Sequence, residues 1–120
     1  LWAEHLVLIF PVWWTGEPAV LKGFFDKVLL KGFAFDKKGK IPKGLLGHIR
    51  GASVFNTMSS PGFYYALFLK NAVKQSVVKG TLKFCGIKKV KWYPLFRIDK
   101  LSKERAQKYL SRVSKAMSKI

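Results

Sequence analysis

A short apolar run followed directly by a helical pattern is the feature that most restricts the fold of this chain. Residues 5–10 (HLVLIF) are apolar after the first position, and the run ends at Pro11. Continuous apolar runs of this length are typical of parallel strands that are covered on both faces. Pro18 then suits the first residue of a helix, and apolar residues recur at helical spacing until Gly32. The pattern predicts a strand joined to a covering helix.

The same order recurs twice along the chain. Residues 52–57 form a second predicted strand, and residues 63–79 form the helical stretch after it. Residues 88–95 (KKVKWYPL) form a third strand, and their lysines and proline place it near a sheet edge. Residues 36–47 are predicted to form a polar loop. Ser102 is suited to cap the N-terminus of a last helix. This alternation predicts an α/β domain with a parallel sheet, without internal repeats.

The first strand has the composition of a strand with a neighbour on each side. Residues 5–10 carry none of the charges or prolines that protect a sheet edge. Three strands are also fewer than the five or six of an average sheet, and two further β-α units would add roughly 60 residues. Leu1 is an unusual first residue for a mature chain. We therefore expect residues 1–120 to be a single domain that lacks its N-terminal part.

The chain is strongly basic, with 23 Lys plus Arg against 6 Asp plus Glu and a net charge of +17. Such a charge raises nucleic acid or an anionic surface as a partner. Lysines dominate the basic residues, however, and they are spread at spacings that favour solvated helix faces, so we expect no nucleic-acid partner. No apolar run approaches the ~18 residues of a membrane span, and we expect a cytoplasmic protein.

Residues that could carry acid-base, nucleophilic or metal chemistry are sparse. Cys85 is the single cysteine and lies between apolar neighbours, which favours a buried thiol and excludes an internal disulfide. His5 and His48 precede their strands and are expected to be structural or surface residues. The six acidic residues show no paired arrangement. We expect neither a catalytic acid, base or nucleophile nor a metal site.

Two adjacent tryptophans, Trp13 and Trp14, follow the first strand. Neighbouring residues at a strand end point in different directions, so one sheet face cannot cover both indoles. A flat partner from outside would use the exposed indole surface. Packing of one of the two indoles under the next helix is the other interpretation, and the sequence leaves both open.

Three segments of the chain carry a family resemblance. The segments AEHLVLIFPVWWTGEPAVLKGFFDKVLLKGFAF, NTMSSPGFYY and KGTLKFCGIKKVKWY resemble the flavodoxin-like NAD(P)H:quinone oxidoreductases, which include the modulators of drug activity and the potassium-efflux ancillary reductases. The resemblance implies a doubly wound parallel sheet in the order 2-1-3-4-5. This chain would supply strands three, four and five, and the first βαβα portion would be missing.

The resemblance also implies a function and a site. The function is two-electron, ping-pong hydride transfer from NAD(P)H through FAD, or alternatively FMN, to a quinone-like acceptor, by a homodimer with its site between subunits. The cofactor-binding residues would be Pro11, Val12, Trp13, Trp14, Thr15, Thr57, Met58, Ser59 and Tyr64. The substrate pocket would be lined by Trp13, Trp14, Phe35 and Tyr64.

Some parts of the family pattern are absent from the sequence. The loop that binds the flavin phosphates follows the first strand in the family, so this chain alone is expected to bind flavin weakly or not at all. Mammalian relatives have a glycine pair after the threonine of the second loop, where this chain has Met58, Ser59, Ser60 and Pro61. They also have a substrate-facing histidine in the following segment, where this chain has none. Two alternatives remain. The chain is an inactive fragment of such an enzyme, or it is a basic module that binds nucleic acid or an anionic surface.

Overall fold

The computed structural model describes residues 2–120, which alternate between strands and helices. The strands are β1 (His5–Pro11), β2 (Phe35–Asp36), β3 (Lys43–Gly44), β4 (Gly51–Thr57) and β5 (Val90–Leu95). The helices are α1 (Ala19–Val28), α2 (Gly62–Leu67), a π-helix (Lys74–Lys83), a 3-10 turn (Ile98–Lys100) and α3 (Lys103–Met117).

A three-stranded parallel sheet in the order β1-β4-β5 forms the centre of the described chain. β1 and β4 pair from His5 opposite Gly51 to Pro11 opposite Thr57, so their carboxyl ends are level. β4 is buried along its length up to Asn56 because it has a strand on each side. The predicted parallel α/β architecture is confirmed, and β5 pairs on one side only, as its lysines and proline indicated.

The core fills the space between one face of this sheet and two helices. Side chains of β1 and β4 on this face, such as Phe10 and Val54, pack with Phe25 of α1 and with Val77 and Leu82 of the π-helix. On the opposite face, Phe55 stacks on Tyr93 with ring centroids 4.8 Å apart. α3 packs there, and its Tyr109 hydroxyl donates to the Tyr93 carbonyl oxygen at 2.6 Å. Helices therefore cover both faces.

The prediction of one continuous helix over residues 63–79 is wrong. α2 ends at Leu67, and Lys70 and Asn71 have left-handed backbones, with φ of 48° and 53°. The chain then winds as a π-helix, in which the Phe84 N–H donates to the Lys79 carbonyl oxygen five residues earlier. Wider turns of this kind suit the buried residues Val73, Val77 and Leu82, which are spaced by four and five positions.

Three smaller expectations also need correction. Pro18 is the N-cap of α1 and not its first residue, and the helix ends at Val28, before Gly32. The segment at residues 36–47 is not only a loop, because β2 and β3 form a short antiparallel ribbon there. β1 is not covered on both faces, since Ile9 is 76% exposed beside a strand edge that has no partner within residues 2–120.

Ser102 caps α3 as predicted, since its side-chain oxygen accepts a hydrogen bond from the Arg105 N–H. Cys85 is buried, and burial raises the pKa of its thiol. Among the helices of residues 2–120, none has the length and apolarity needed to cross a membrane.

Candidate functional site

The loops that leave β1 and β4 lie side by side at the carboxyl edge of the sheet. Pro11 is level with Thr57, and the Val12 N–H donates to the Thr57 carbonyl oxygen at 2.8 Å. The Met58 N–H in turn donates to the Leu95 carbonyl oxygen at 2.9 Å, which ties the second loop to the end of β5. In open parallel α/β sheets this edge is where ligands bind.

The first loop closes into a tight turn at residues 13–16, called the Trp turn below. The N–H groups of Trp13 and Gly16 each donate to the other residue's carbonyl oxygen, at 3.1 and 3.3 Å. Trp14 has a left-handed backbone with φ of 59°, which is uncommon for a residue with a large side chain. The turn therefore holds its shape through paired backbone bonds, and Trp14 is its strained corner.

The two indoles of the Trp turn differ in their surroundings. Trp14 is 97% exposed, whereas Trp13 is 62% exposed and borders an apolar groove beside Pro18, Val20 and Phe24. Neither indole is buried under α1, so the core interpretation is wrong for both. Val12 is half-buried and packs against the core below them.

Backbone donors accompany these exposed indoles. Within residues 2–120, the N–H groups of Trp14 and Thr15 donate to no carbonyl oxygen. Asn56, at the end of β4, accepts a hydrogen bond from the Trp92 indole N–H at 2.8 Å, and its own buried Nδ2 has no partner in the same residues. The unpaired N–H groups of Trp14 and Thr15, beside the exposed indoles, fit a planar ring with a polar edge, such as a flavin.

The second loop brings some of its predicted residues to the surface and buries others. Met58 is buried, and its backbone N–H is already paired, so its side chain acts through packing. Ser59 is exposed, and Tyr64 is partly exposed and stacks on Phe68 with ring centroids 5.2 Å apart. Ser59 and Tyr64 are therefore the side chains of this segment that a ligand could reach.

Within this chain, Phe35 does not line the same pocket as Trp13, with which it was predicted to form the substrate pocket. It lies in β2, packs on Phe84 with ring centroids 5.4 Å apart, and lines a separate cavity of about 350 Å³ with Phe25 and Cys85. Trp13 lines a different groove with Pro18. Phe35 and Trp13 therefore line different pockets of the described chain.

Two titratable groups, Tyr65 and Glu17, lie near the Trp turn. Burial raises the pKa of the Tyr65 hydroxyl, which accepts from the Val73 N–H, and the Glu17 carboxylate adds to the increase. His5 lies at the opposite, amino end of β1, where its Nε2 is 3.1 Å from Ser53 Oγ. Burial and the charge of Lys91 lower the pKa of His5.

Sequence reasoning missed Tyr65 and Asn56. Tyr65 is buried and donates to the Thr15 carbonyl oxygen at 2.8 Å, directly below the Trp turn. Its neighbour Tyr64 has the same side chain, and only the helical phase of α2 distinguishes the inward residue from the outward one. Asn56 is one of three polar residues among residues 52–57, so residue type alone does not single it out.

A parallel sheet covered by helices on both faces, with its exposed loops grouped at the carboxyl edge, defines an open, doubly wound α/β protein. Residues 1–119 match a family model, Flavodoxin_2, described as a flavodoxin-like fold. The chain belongs to this family. The resemblance to flavodoxin-like NAD(P)H:quinone oxidoreductases is thereby confirmed at the level of family and fold.

Curated relatives match most of this chain. An uncharacterized NAD(P)H oxidoreductase of Haemophilus influenzae is 31% identical over 108 residues, which are 90% of this chain and 53% of that protein. The ribosyldihydronicotinamide dehydrogenase [quinone] of Homo sapiens is 36% identical over 94 residues, which are 72% of this chain and 38% of that protein. The chain thus spans about half the length, or less, of these two relatives.

Solved structures share the fold. A crystal structure of a Streptococcus mutans UA159 protein matches with a TM-score of 0.90 and 38% identity, over 99% of this chain and 62% of that one. An FMN-dependent NADH-azoreductase of Bacillus anthracis, in complex with FMN, matches with a TM-score of 0.84 over 98% of this chain and 56% of that one. The identity in the second case is 19%, so this likeness concerns the fold.

Proposed function

We propose that this chain supplies one half of the active site of a flavin-dependent NAD(P)H oxidoreductase that reduces quinone-like acceptors. The observation that carries the proposal is the exposed Trp turn, held level with the end of β4 by the bond from Val12 to Thr57. The names of the relatives support NAD(P)H and a quinone as the two substrates, and the bound FMN of the azoreductase supports a flavin.

The residues that would hold the flavin ring are those of the two loops. Pro11, Val12, Trp13, Trp14 and Thr15 offer indole faces and backbone donors, and Thr57, Met58, Ser59 and Tyr64 would form the other wall. A bound flavin would supply the two-electron chemistry of hydride transfer between NAD(P)H and the acceptor. FMN and FAD are both candidates, as are NADH and NADPH.

The protein's own part in this reaction is to bind, orient and exclude water. The indoles of Trp13 and Trp14 would cover a flat ring, and the unpaired N–H groups of the Trp turn would meet its polar edge. Met58 contributes through packing, because it is buried. Hydride transfer through a flavin requires no nucleophile from the chain, which agrees with the few titratable groups near the turn.

The position of Phe35 supports a homodimer with sites shared between subunits. Phe35 would line the acceptor pocket of Trp13, Trp14 and Tyr64 only if it came from a second copy. Mixed dimers test this directly. We expect a Phe35→Ala chain and a Trp14→Ala chain to be impaired alone and to recover part of their activity when mixed, because one site of the mixed dimer has both residues. No recovery would contradict a shared site.

The proposed reaction is tested with what we call the completed sample. In this sample the chain is produced together with the part of the Streptococcus mutans protein that lies outside the match. We expect oxidation of NADH or NADPH that depends on added FMN or FAD and on a benzoquinone acceptor. A completed sample that is folded, binds flavin and shows no such oxidation would contradict the proposed reaction.

A further inference from the structure

Tyr65 is a buried residue whose hydroxyl joins two distant segments. Its side chain is 0% exposed, yet the hydroxyl has two partners. It donates to the Thr15 carbonyl oxygen at 2.8 Å and accepts from the Val73 N–H at 3.0 Å. One polar atom in the core therefore links the Trp turn to the start of the helix that follows α2.

One end of this link is irregular backbone, and the other lies beside irregular backbone. At one end is the Trp turn, with Trp14 in a left-handed conformation. The other end, Val73, has helical backbone but lies two residues after the left-handed Lys70 and Asn71, where the chain breaks between α2 and the next helix. The Asn71 N–H donates to the carbonyl oxygen of Tyr65 itself at 2.9 Å. Tyr65 thus holds the break through its backbone and the Trp turn through its side chain.

A phenylalanine would fill the same space without making this link. The ring contact with Phe96, at 6.2 Å between centroids, would remain. The Val73 N–H, on a residue that is 0% exposed, and the Thr15 carbonyl oxygen would both lose their partner. Buried polar groups without partners are costly, so the hydroxyl determines the geometry at both ends.

We propose that Tyr65 is a positioning residue that keeps the Trp turn in one preformed shape for the flat ring it receives. The inference rests on the proposed function, since the turn is the loop assigned to the flavin. A turn that is already ordered does not lose conformational freedom when its ligand arrives. Tyr65 itself stays behind the turn and acts through Thr15.

The test compares Tyr65→Phe with Tyr109→Phe in this 120-residue chain. Tyr109 is a matched control, because its hydroxyl also donates to a backbone carbonyl oxygen, that of Tyr93, away from the turn. Amide exchange is followed by NMR. In Tyr65→Phe we expect the Trp13 and Gly16 N–H groups to exchange about tenfold faster, whereas Val12 stays protected. Unchanged exchange in Tyr65→Phe, or an equal increase in Tyr109→Phe, would overturn the proposal.

A second measurement needs no variant and decides the case if Tyr65→Phe does not fold. A hydroxyl proton that is buried and hydrogen-bonded exchanges slowly enough to give its own NMR signal. In the wild-type chain we expect such a signal for Tyr65, with a nuclear Overhauser effect to the Val73 N–H, which donates to the same oxygen. Rapid exchange of this proton in the folded chain would overturn the proposal.

Flavin affinity then shows whether Tyr65 positions the Trp turn or only packs in the core. In the completed sample we expect Tyr65→Phe to raise the FMN Kd about tenfold and to leave kcat at saturating FMN unchanged, because the hydroxyl shapes the turn and takes no part in chemistry. Tyr109→Phe should retain the wild-type Kd. An unchanged Kd in Tyr65→Phe would overturn the positioning role. If the wild-type sample binds no FMN, the proposed function fails, whereas the exchange measurement still decides the role of Tyr65.

Discussion

The Val12 N–H donates to the Thr57 carbonyl oxygen at 2.8 Å, which extends the pairing of β1 with β4 one residue beyond β1. This bond sets the Trp turn beside the start of the second loop. Because both loops begin at fixed positions in the sheet, their relative placement follows from strand register and not from the loops themselves.

Removal of the Trp14 indole should affect binding more than folding. Trp14 is almost fully exposed, so Trp14→Ala should change the free energy of unfolding by no more than about 0.5 kcal/mol. Loss of a stacking surface should weaken FMN binding in the completed sample roughly tenfold. Trp2→Ala is the control, since Trp2 is equally exposed and lies before β1. Equal FMN affinities of the two variants would contradict a ligand-stacking role.

Met58 and Ser59 are neighbours with opposite expected effects on stability. Met58 is buried, and Met58→Ala should lower the free energy of unfolding by about 2–5 kcal/mol, because it leaves a cavity under the second loop. Ser59 is exposed, and Ser59→Ala should stay within about 0.5 kcal/mol of wild type. Urea unfolding measures both. A Met58→Ala chain as stable as wild type would show that the side chain is not packed as described.

Acid should destabilise the chain through His5. Burial and the charge of Lys91 lower the pKa of His5, so the unfolded chain binds the proton more readily than the folded chain. The contribution to stability is complete above the ordinary value of about 6.5 and is lost as the pH falls below it. His5→Gln should flatten this slope in urea unfolding between pH 7.5 and 5. A slope unchanged by His5→Gln would contradict this assignment.

The open edge of β1 should be the surface that contacts the added segment of the completed sample. Ile9 is exposed there and borders apolar grooves on both faces of the strand. Ile9→Asp should leave the chain folded but prevent it from combining with the added segment of the completed sample, because a charge would enter an apolar contact. Ile41→Asp, at an equally exposed loop position, should combine normally. Copurification of the two segments measures the outcome, and normal assembly of Ile9→Asp would contradict this role of the edge.

The strands could be predicted because their signals are local, whereas their order in the sheet came from the family resemblance. Residues 5–10 form an apolar run of strand length, whereas residues 52–57 mix apolar residues with Ser53, Asn56 and Thr57. Each segment is followed by turn residues and a helical pattern, which favours a parallel sheet. The adjacency of the Trp turn and the second loop followed from the same argument. The exposure of Trp13 and Trp14 was one of two interpretations, and the structure decides between them.

The break after α2 could not be predicted because tertiary contacts determine it. Lys70 and Asn71 adopt left-handed backbones in a segment whose apolar spacing also suits an ordinary helix. The Asn71 N–H donates to the Tyr65 carbonyl oxygen, and the Val73 N–H donates to the Tyr65 hydroxyl. Neither bond leaves a mark in residue type at these positions. Hydrogen bonds of this kind appear only once the fold has brought their partners together.

Flavin binding is the measurement that tests the central claim most directly. FMN and FAD fluorescence is followed while this chain is added, alone and as the completed sample. The account predicts weak or no quenching by the chain alone and saturable quenching by the completed sample, because the Trp turn supplies the ring site and the added segment supplies the rest of the domain. Failure of both samples to quench either flavin, with the chain shown to be folded, would contradict the account.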